Sequence, residues 1–278
     1  MFGVQIGLVT HQEKLKQREE RILLYLKNAA NTIFLCALPW FCSFPCGYLQ
    51  FSGGQAVRRI ILKSFQSPGD IVMLTAAVRD LHAANPGQFQ TDVRTSADAL
   101  WENNPHLTRL AEGSPDVETI DMHYPLVHSS NHRPYHFIHG FSQYLEERLN
   151  VRVPVSQFRG DIHLSNAEKA LPPLNGHPLP ERFWIMIAGG KYDFTAKWWN
   201  PASYQQVVDH FQGRLQFVQC GEAGHWHPPL TGVLNLVGQT DTRQFVRLMH
   251  HADGVVCPVT FAMHLAAAVE TQIGRAHV

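Results

Sequence analysis

Apolar positions along this chain switch repeatedly between two periods, and the switching predicts a layered α/β fold. Arg59 to Phe65 is a short apolar run closed by a turn signal, the pattern of a buried strand. After it, Ile71, Leu74, Ala77, Val78 and Leu81 recur at close to 3.6 residues, predicting a helix that stops at Asn85-Pro86-Gly87. Phe89 to Thr95 reads as the next strand, Ser96 as the cap of a short helix reaching Glu102, and Val117 to Met122 as a third strand. His136 to Leu149 is amphipathic and helical. Residues 171–180 hold Leu171-Pro172-Pro173 and Pro178 to Pro180, the composition of a linker between domains. The alternation then restarts. Strands are predicted at Phe183 to Ala188, Leu215 to Gln219, Leu234 to Val237 and Gly254 to Cys257. Helices are predicted at Pro201 to Phe211, Asp241 to His251 and Phe261 to Val269, with Pro201 in a first turn and Asp241 as a cap. Such alternation in both halves implies parallel sheets.

Two loops stand out against this background. Ser67-Pro68-Gly69-Asp70 and Val259-Thr260-Phe261-Ala262-Met263-His264 each join a predicted strand to a helix start through small residues. That geometry aims backbone N–H groups and a helix N-terminus at a ligand above the sheet, which suits phosphate. Two such loops predict two Rossmann-like halves facing a cleft. Neither loop is G-x-G-x-x-G with a ribose-binding acid further on, which argues against a nicotinamide-dependent enzyme.

Composition bounds the partners. The 278 residues suffice for two domains, and the formal net charge of zero gives no case for nucleic acid or an anionic surface. Cys220 and Cys257 fall in predicted strands and read as buried thiols of a cytoplasmic protein. His225-Trp226-His227 and His250-His251 lack the spacing and third ligand of a metal site, so no metal and no cofactor are expected.

Both ends depart from the rest. Residues 1–56 read as a non-native or disordered leader, with Val57 as a natural start for the folded part. Within them, Ile33 to Phe51 is uncharged and long enough for a bilayer, yet it holds Pro39, Pro45, Gly47 and three cysteines. Residues 273–278, Ile-Gly-Arg-Ala-His-Val, match the translation of a short-read sequencing adaptor. On that reading the chain is a truncated fragment, its second domain is incomplete, and the chain itself is expected to be inactive.

Four segments carry a family resemblance. They are Ser67-Pro68-Gly69-Asp70-Ile71-Val72, Ala196-Lys197-Trp198-Trp199, Asn235-Leu236-Val237-Gly238-Gln239-Thr240, and Ala262-Met263-His264-Leu265-Ala266-Ala267-Ala268. In this order they resemble the bacterial ADP-heptose heptosyltransferases, glycosyltransferase family 9. The resemblance implies a GT-B fold: a 57–170 acceptor domain, a 171–180 linker and a partial 181–272 nucleotide-sugar domain. It implies transfer of a heptose-type sugar from an ADP-sugar donor to a glycan or protein hydroxyl, lipopolysaccharide core included. It also implies a cytoplasmic location with peripheral contact at the inner membrane. Asp70 takes the place of the family's general base, on a loop whose backbone is shaped by Ser67 and Gly69; helix capping is the alternative role for Asp70. Lys197 takes the place of the lysine that holds the diphosphate. Thr260, Met263 and His264 fall on the donor side, and Glu222 stands where a ribose-binding acid is expected. A packed helix histidine is the alternative for His264, and a solvated carboxylate for Glu222. One departure is marked: related loops carry Asp-Ser-Gly-Pro where this chain has Pro258-Val259-Thr260-Phe261-Ala262. That loss leaves open a non-catalytic sugar-nucleotide-binding protein or inactive remnant.

Overall fold

The computed structural model describes residues 56–122, 136, 138–170, 174 and 178–275. The leader of residues 1–55, including the uncharged Ile33 to Phe51 stretch, lies outside the described residues, as does most of the expected linker. Among the described residues, no helix is long and apolar enough to cross a membrane.

The first half is a three-stranded parallel sheet. β1 (Arg58–Ser64) is central, flanked by β2 (Phe89–Thr95) and β3 (Val117–Asp121). Its middle residues Ile60, Ile61 and Leu62 are fully buried, as expected of a parallel strand covered on both faces. α1 (Pro68–Ala84) crosses from β1 to β2. It starts three residues earlier than the apolar period alone predicts, because Pro68 suits a first turn and Ser67 caps it. The predicted helix after Ser96 is only a 3-10 turn, Asp98–Trp101. Ser96 does not cap it: its Oγ donates to the Gln66 carbonyl (2.5 Å), while Asp98 Oδ1 accepts from the Thr95 amide (3.2 Å). α2 (His139–Leu149) and the short α3 (Asn166–Ala170) follow β3.

The second half is a five-stranded parallel sheet. β4 (Trp184–Met186), β5 (Phe217–Gln219), β6 (Leu234–Asn235), β7 (Gly254–Cys257) and β8 (Gln272–Arg275) lie in the order β6-β5-β4-β7-β8. α4 (Pro201–His210), α5 (Thr242–His251) and α6 (Phe261–Ala268) join them. Asp241 caps α5 as expected, its carboxylate accepting from the Gln244 amide (2.7 Å). No helix lies between β5 and β6; residues 220–233 form a long connection instead. β8 includes residues 273–275 of the expected non-native tail, paired in parallel with β7. Cys220 and Cys257 are buried and neither forms a disulfide, and burial pushes the Cys220 thiol up to about 12.

The two sheets share one core. Ile60, Leu74 and Ile120 of the first half belong to the same buried cluster as Ile185, Val255 and Leu265 of the second. α1 packs against α6. Gly160 makes room for this approach, since a Cβ there would sit 2.4 Å from Val72 Cγ1. Arg243 of α5 adds a polar tie. Its guanidinium makes two bonds to Glu168 of α3 (2.6 and 2.8 Å) and one to the His163 carbonyl (2.7 Å). Those bonds hold the Glu168 carboxyl down at about 2.

Candidate functional site

In an open parallel sheet, ligands sit beyond the strand ends where the winding reverses direction. In the second sheet that point lies between β4 and β7. The loop after β4 carries Gly189 to Lys197, and the loop after β7 carries Pro258 to Thr260. In the first sheet the corresponding loop follows β1 and carries Phe65 to Asp70. The topology therefore places Asp70, Lys197 and the start of α6 at the strand ends that bind ligands.

Asp70 occupies the first turn of α1. Its Oδ2 accepts from the Ser67 amide (3.2 Å), and its own amide donates to the Ser67 carbonyl (2.8 Å). The carboxylate is thus engaged at the helix start, as a capping residue would be. Its electrostatics are not those of an ordinary surface cap. Burial raises its carboxyl above the usual range, against the lowering pull of the Ser67 amide and of the Lys197 and Lys191 charges. Both lysines belong to the other half of the molecule.

Gly69 sits where α1 meets α6. A Cβ there would lie 3.4 Å from His264 Cδ2 and 3.6 Å from Phe261 Cα, so the two helix starts nearly touch. His264 is correspondingly half-buried. Burial, then His136 and then Lys197, lower its imidazole to about 4. At neutral pH it is an uncharged ring, able to hydrogen-bond an anion but not to balance its charge.

Thr260 is the N-cap residue of α6, in extended backbone, but its side chain does not cap the helix. Its Oγ1 is buried and has no hydrogen-bond partner among the described residues. A buried orphan hydroxyl is costly unless a ligand completes it. Met263 is partly buried against the core, and its amide donates to the Thr260 carbonyl (3.1 Å). One of the amides expected to face an anion is therefore already engaged. Glu222 is exposed in the β5–β6 connection, its carboxylate 3.6 Å from His225 Nδ1. Among the described residues, no group of three or more His, Cys, Asp or Glu could hold a metal ion.

Two features lay outside the reach of the sequence. Lys191 joins Lys197 in the field at Asp70. Trp226 stacks on Trp198, the residue after Lys197, with ring centroids 4.4 Å apart and planes at 17°. Only Gly189-Gly190 ahead of Lys191 hinted that another backbone comes close.

Two half-buried histidines carry a pH signature. Burial lowers His264 to about 4, and burial with the neighbouring His106 lowers His82 to about 4, against 6.5 in an unfolded chain. Between pH 6.5 and 4 the unfolded state binds protons that the native state refuses, so stability falls as pH falls. We expect a loss on the order of 1–2 kcal/mol over that window, after discounting for the parts of the rings that water reaches. Urea midpoints measured from pH 7 to pH 4 should show it, and His82→Gln should flatten the decline. An unchanged midpoint would contradict this electrostatic picture.

Comparison with known proteins agrees with the geometry. The sequence profile of glycosyltransferase family 9 (heptosyltransferase) matches residues 127–273, just over half of the 278 residues. No curated protein sequence matches the chain. Among solved structures, a family 9 glycosyl transferase from Veillonella parvula is similar at a TM-score of 0.58, with 13% identity over 78% of this chain and 80% of that one. The ADP-heptose lipopolysaccharide heptosyltransferase II of E. coli gives 0.52, with 20% identity over 77% and 83%. The E. coli heptosyltransferase WaaC, solved with ADP, gives 0.53, with 14% identity over 79% and 91%. These structures establish an α/β fold of the same GT-B kind. Asp70 lies ahead of the matched segment, so its assignment rests on its own loop and on the facing lysines. With more than half of its length inside the profile and its two parallel sheets arranged as in these enzymes, the chain belongs to glycosyltransferase family 9, the heptosyltransferases.

Proposed function

We propose that this glycosyltransferase moves a heptose-type sugar from ADP-heptose to a hydroxyl of lipopolysaccharide core. Asp70 takes the proton of the acceptor hydroxyl as its oxygen attacks the anomeric carbon. The bond from that carbon to the β-phosphate oxygen breaks, and ADP leaves with the electron pair. Lys197 and Lys191 offset the growing negative charge, and the N-terminus of α6 with the Thr260 hydroxyl completes the anion site. Neutral His264 donates a hydrogen bond to the same group. Glu222, at the edge of the second sheet, takes the ribose hydroxyls. The single observation carrying this reading is the close approach of the loop bearing Asp70 to the start of α6, where Gly69 lies against His264 and Phe261; burial there raises the Asp70 carboxyl. On this reading the protein works in the cytoplasm and meets its acceptor at the inner face of the membrane.

A second reading, a sugar-nucleotide-binding protein without turnover, is favoured by one feature. The segment after β7 lacks the acidic and glycine positions of related loops. Calorimetry with ADP, UDP and GDP, followed by assay of ADP release from ADP-heptose, separates the two. The enzyme reading predicts preference for ADP and acceptor-dependent release. Tight binding of ADP-heptose with no release under any acceptor would support the binder, and equal affinity for all three nucleotides would contradict both.

A further inference from the structure

Lys197 sits at the end of an unusually bare loop. Lys191, Tyr192, Asp193, Thr195, Ala196 and Lys197 are all exposed, and the loop's only regular structure is a 3-10 turn, Tyr192–Lys197. A long lysine on such a loop loses much rotamer and backbone freedom when it grips a diphosphate. Two anchors stand just after it. Trp199 packs edge-on against the buried Tyr204, with centroids 5.1 Å apart. Trp198 lies face to face on Trp226.

Trp226 is brought there by a specific backbone device. Its amide donates to the Gly190 carbonyl (3.0 Å), and the Gly190 amide donates to its carbonyl (2.9 Å). This isolated antiparallel bridge clamps the β5–β6 connection onto the loop after β4. Gly189 makes it possible: its φ is +114°, and a Cβ would lie 1.9 Å from the Trp226 carbonyl oxygen. Tyr192 closes the group, its ring edge-on to Trp198 at 6.0 Å. The aromatic stack thus brackets the lysine loop at both ends.

We propose that Trp226 is a positioning residue for Lys197, holding the lysine loop ready for the donor diphosphate through its stack on Trp198. The inference rests on the reading that Lys197 binds that diphosphate. It assigns a task to the β5–β6 connection, which has no helix in this chain and folds over the donor loop instead.

The test is ADP affinity by calorimetry on the full chain for Trp226→Ala, Trp226→Phe, Lys197→Ala and the double variant Trp226→Ala/Lys197→Ala, with circular dichroism as a check of folding. Trp226→Ala should weaken ADP binding about tenfold, the scale of one lost aromatic stack. Trp226→Phe, which keeps a ring face, should restore most of the affinity. In the Lys197→Ala background, Trp226→Ala should have no further effect, because its action runs through the lysine. If Trp226→Ala is not recovered folded, Trp226→Leu keeps the apolar bulk without a ring face and carries the same expectation. Unchanged affinity on removing the ring, or a full additional loss in the Lys197→Ala background, overturns the inference while leaving the role of Lys197 intact. Unchanged affinity in Lys197→Ala itself overturns the underlying reading instead.

Discussion

Replacing Lys197 with alanine is expected to weaken ADP binding and to slow sugar transfer as well. On the proposed reading the ammonium would meet the diphosphate in the ground state and more negative charge as ADP departs, so its loss would act on both. Removing one preorganised donor aimed at developing charge slows turnover by roughly 100-fold or more. Its charge is felt at both Asp70 and His264, on the two sides of the proposed site. Lys197→Arg should recover binding better than transfer, because a guanidinium keeps the charge but not its point-like position. Loss of binding with an unchanged transfer rate at saturating donor would restrict Lys197 to ground-state binding.

Asp70→Asn should be severe for turnover and mild for stability. Asparagine keeps the size of the side chain and can still accept the Ser67 amide, so the start of α1 survives. It cannot take a proton, and transfer should fall by roughly 100-fold or more. If Asp70 served only as a cap, the pattern would reverse. Asp70→Ala would then lower the melting temperature, Asp70→Asn would do so only slightly, and both would turn over near normally. The raised carboxyl fits the catalytic role, since a base needs affinity for the proton it accepts. The same burial makes the engaged Ser67 amide useful to both roles, which is why stability and rate must be read on one set of variants.

Much of the fold was legible because its central strands, β1 and β4, are short apolar runs buried in parallel sheets. β2 and β7 lie at Phe89–Thr95 and Gly254–Cys257, the bounds the pattern predicts. Helix starts were less legible. α1 begins at Pro68 because proline is well placed in a first turn, whereas α2 begins at His139 rather than His136. In the second sheet β4 spans only Trp184–Met186, and the residues after it turn toward the Trp226 backbone. Asp70 and His264 were visible as residues at strand–loop–helix junctions, and Lys197 through the family resemblance of its segment. That they share one electrostatic environment was not, because it depends on the joint packing of α1 and α6. The neutrality of His264, the orphan hydroxyl of Thr260 and the contribution of Lys191 likewise arise only from tertiary burial. The continuous core of the two halves also escaped the sequence, since a Pro-rich stretch at 171–180 reads as a separator whatever packs around it.

The central claim is that Asp70 is the base of a sugar transfer from ADP-heptose. Its most direct test is the single-turnover rate of transfer from ADP-heptose to lipopolysaccharide core, measured beside the melting temperature, for the wild type and Asp70→Asn. The account predicts a melting temperature within a degree or two of wild type, about the size of a conservative capping change, and a rate lower by roughly 100-fold or more. A transfer rate in Asp70→Asn equal to that of the wild type would contradict it.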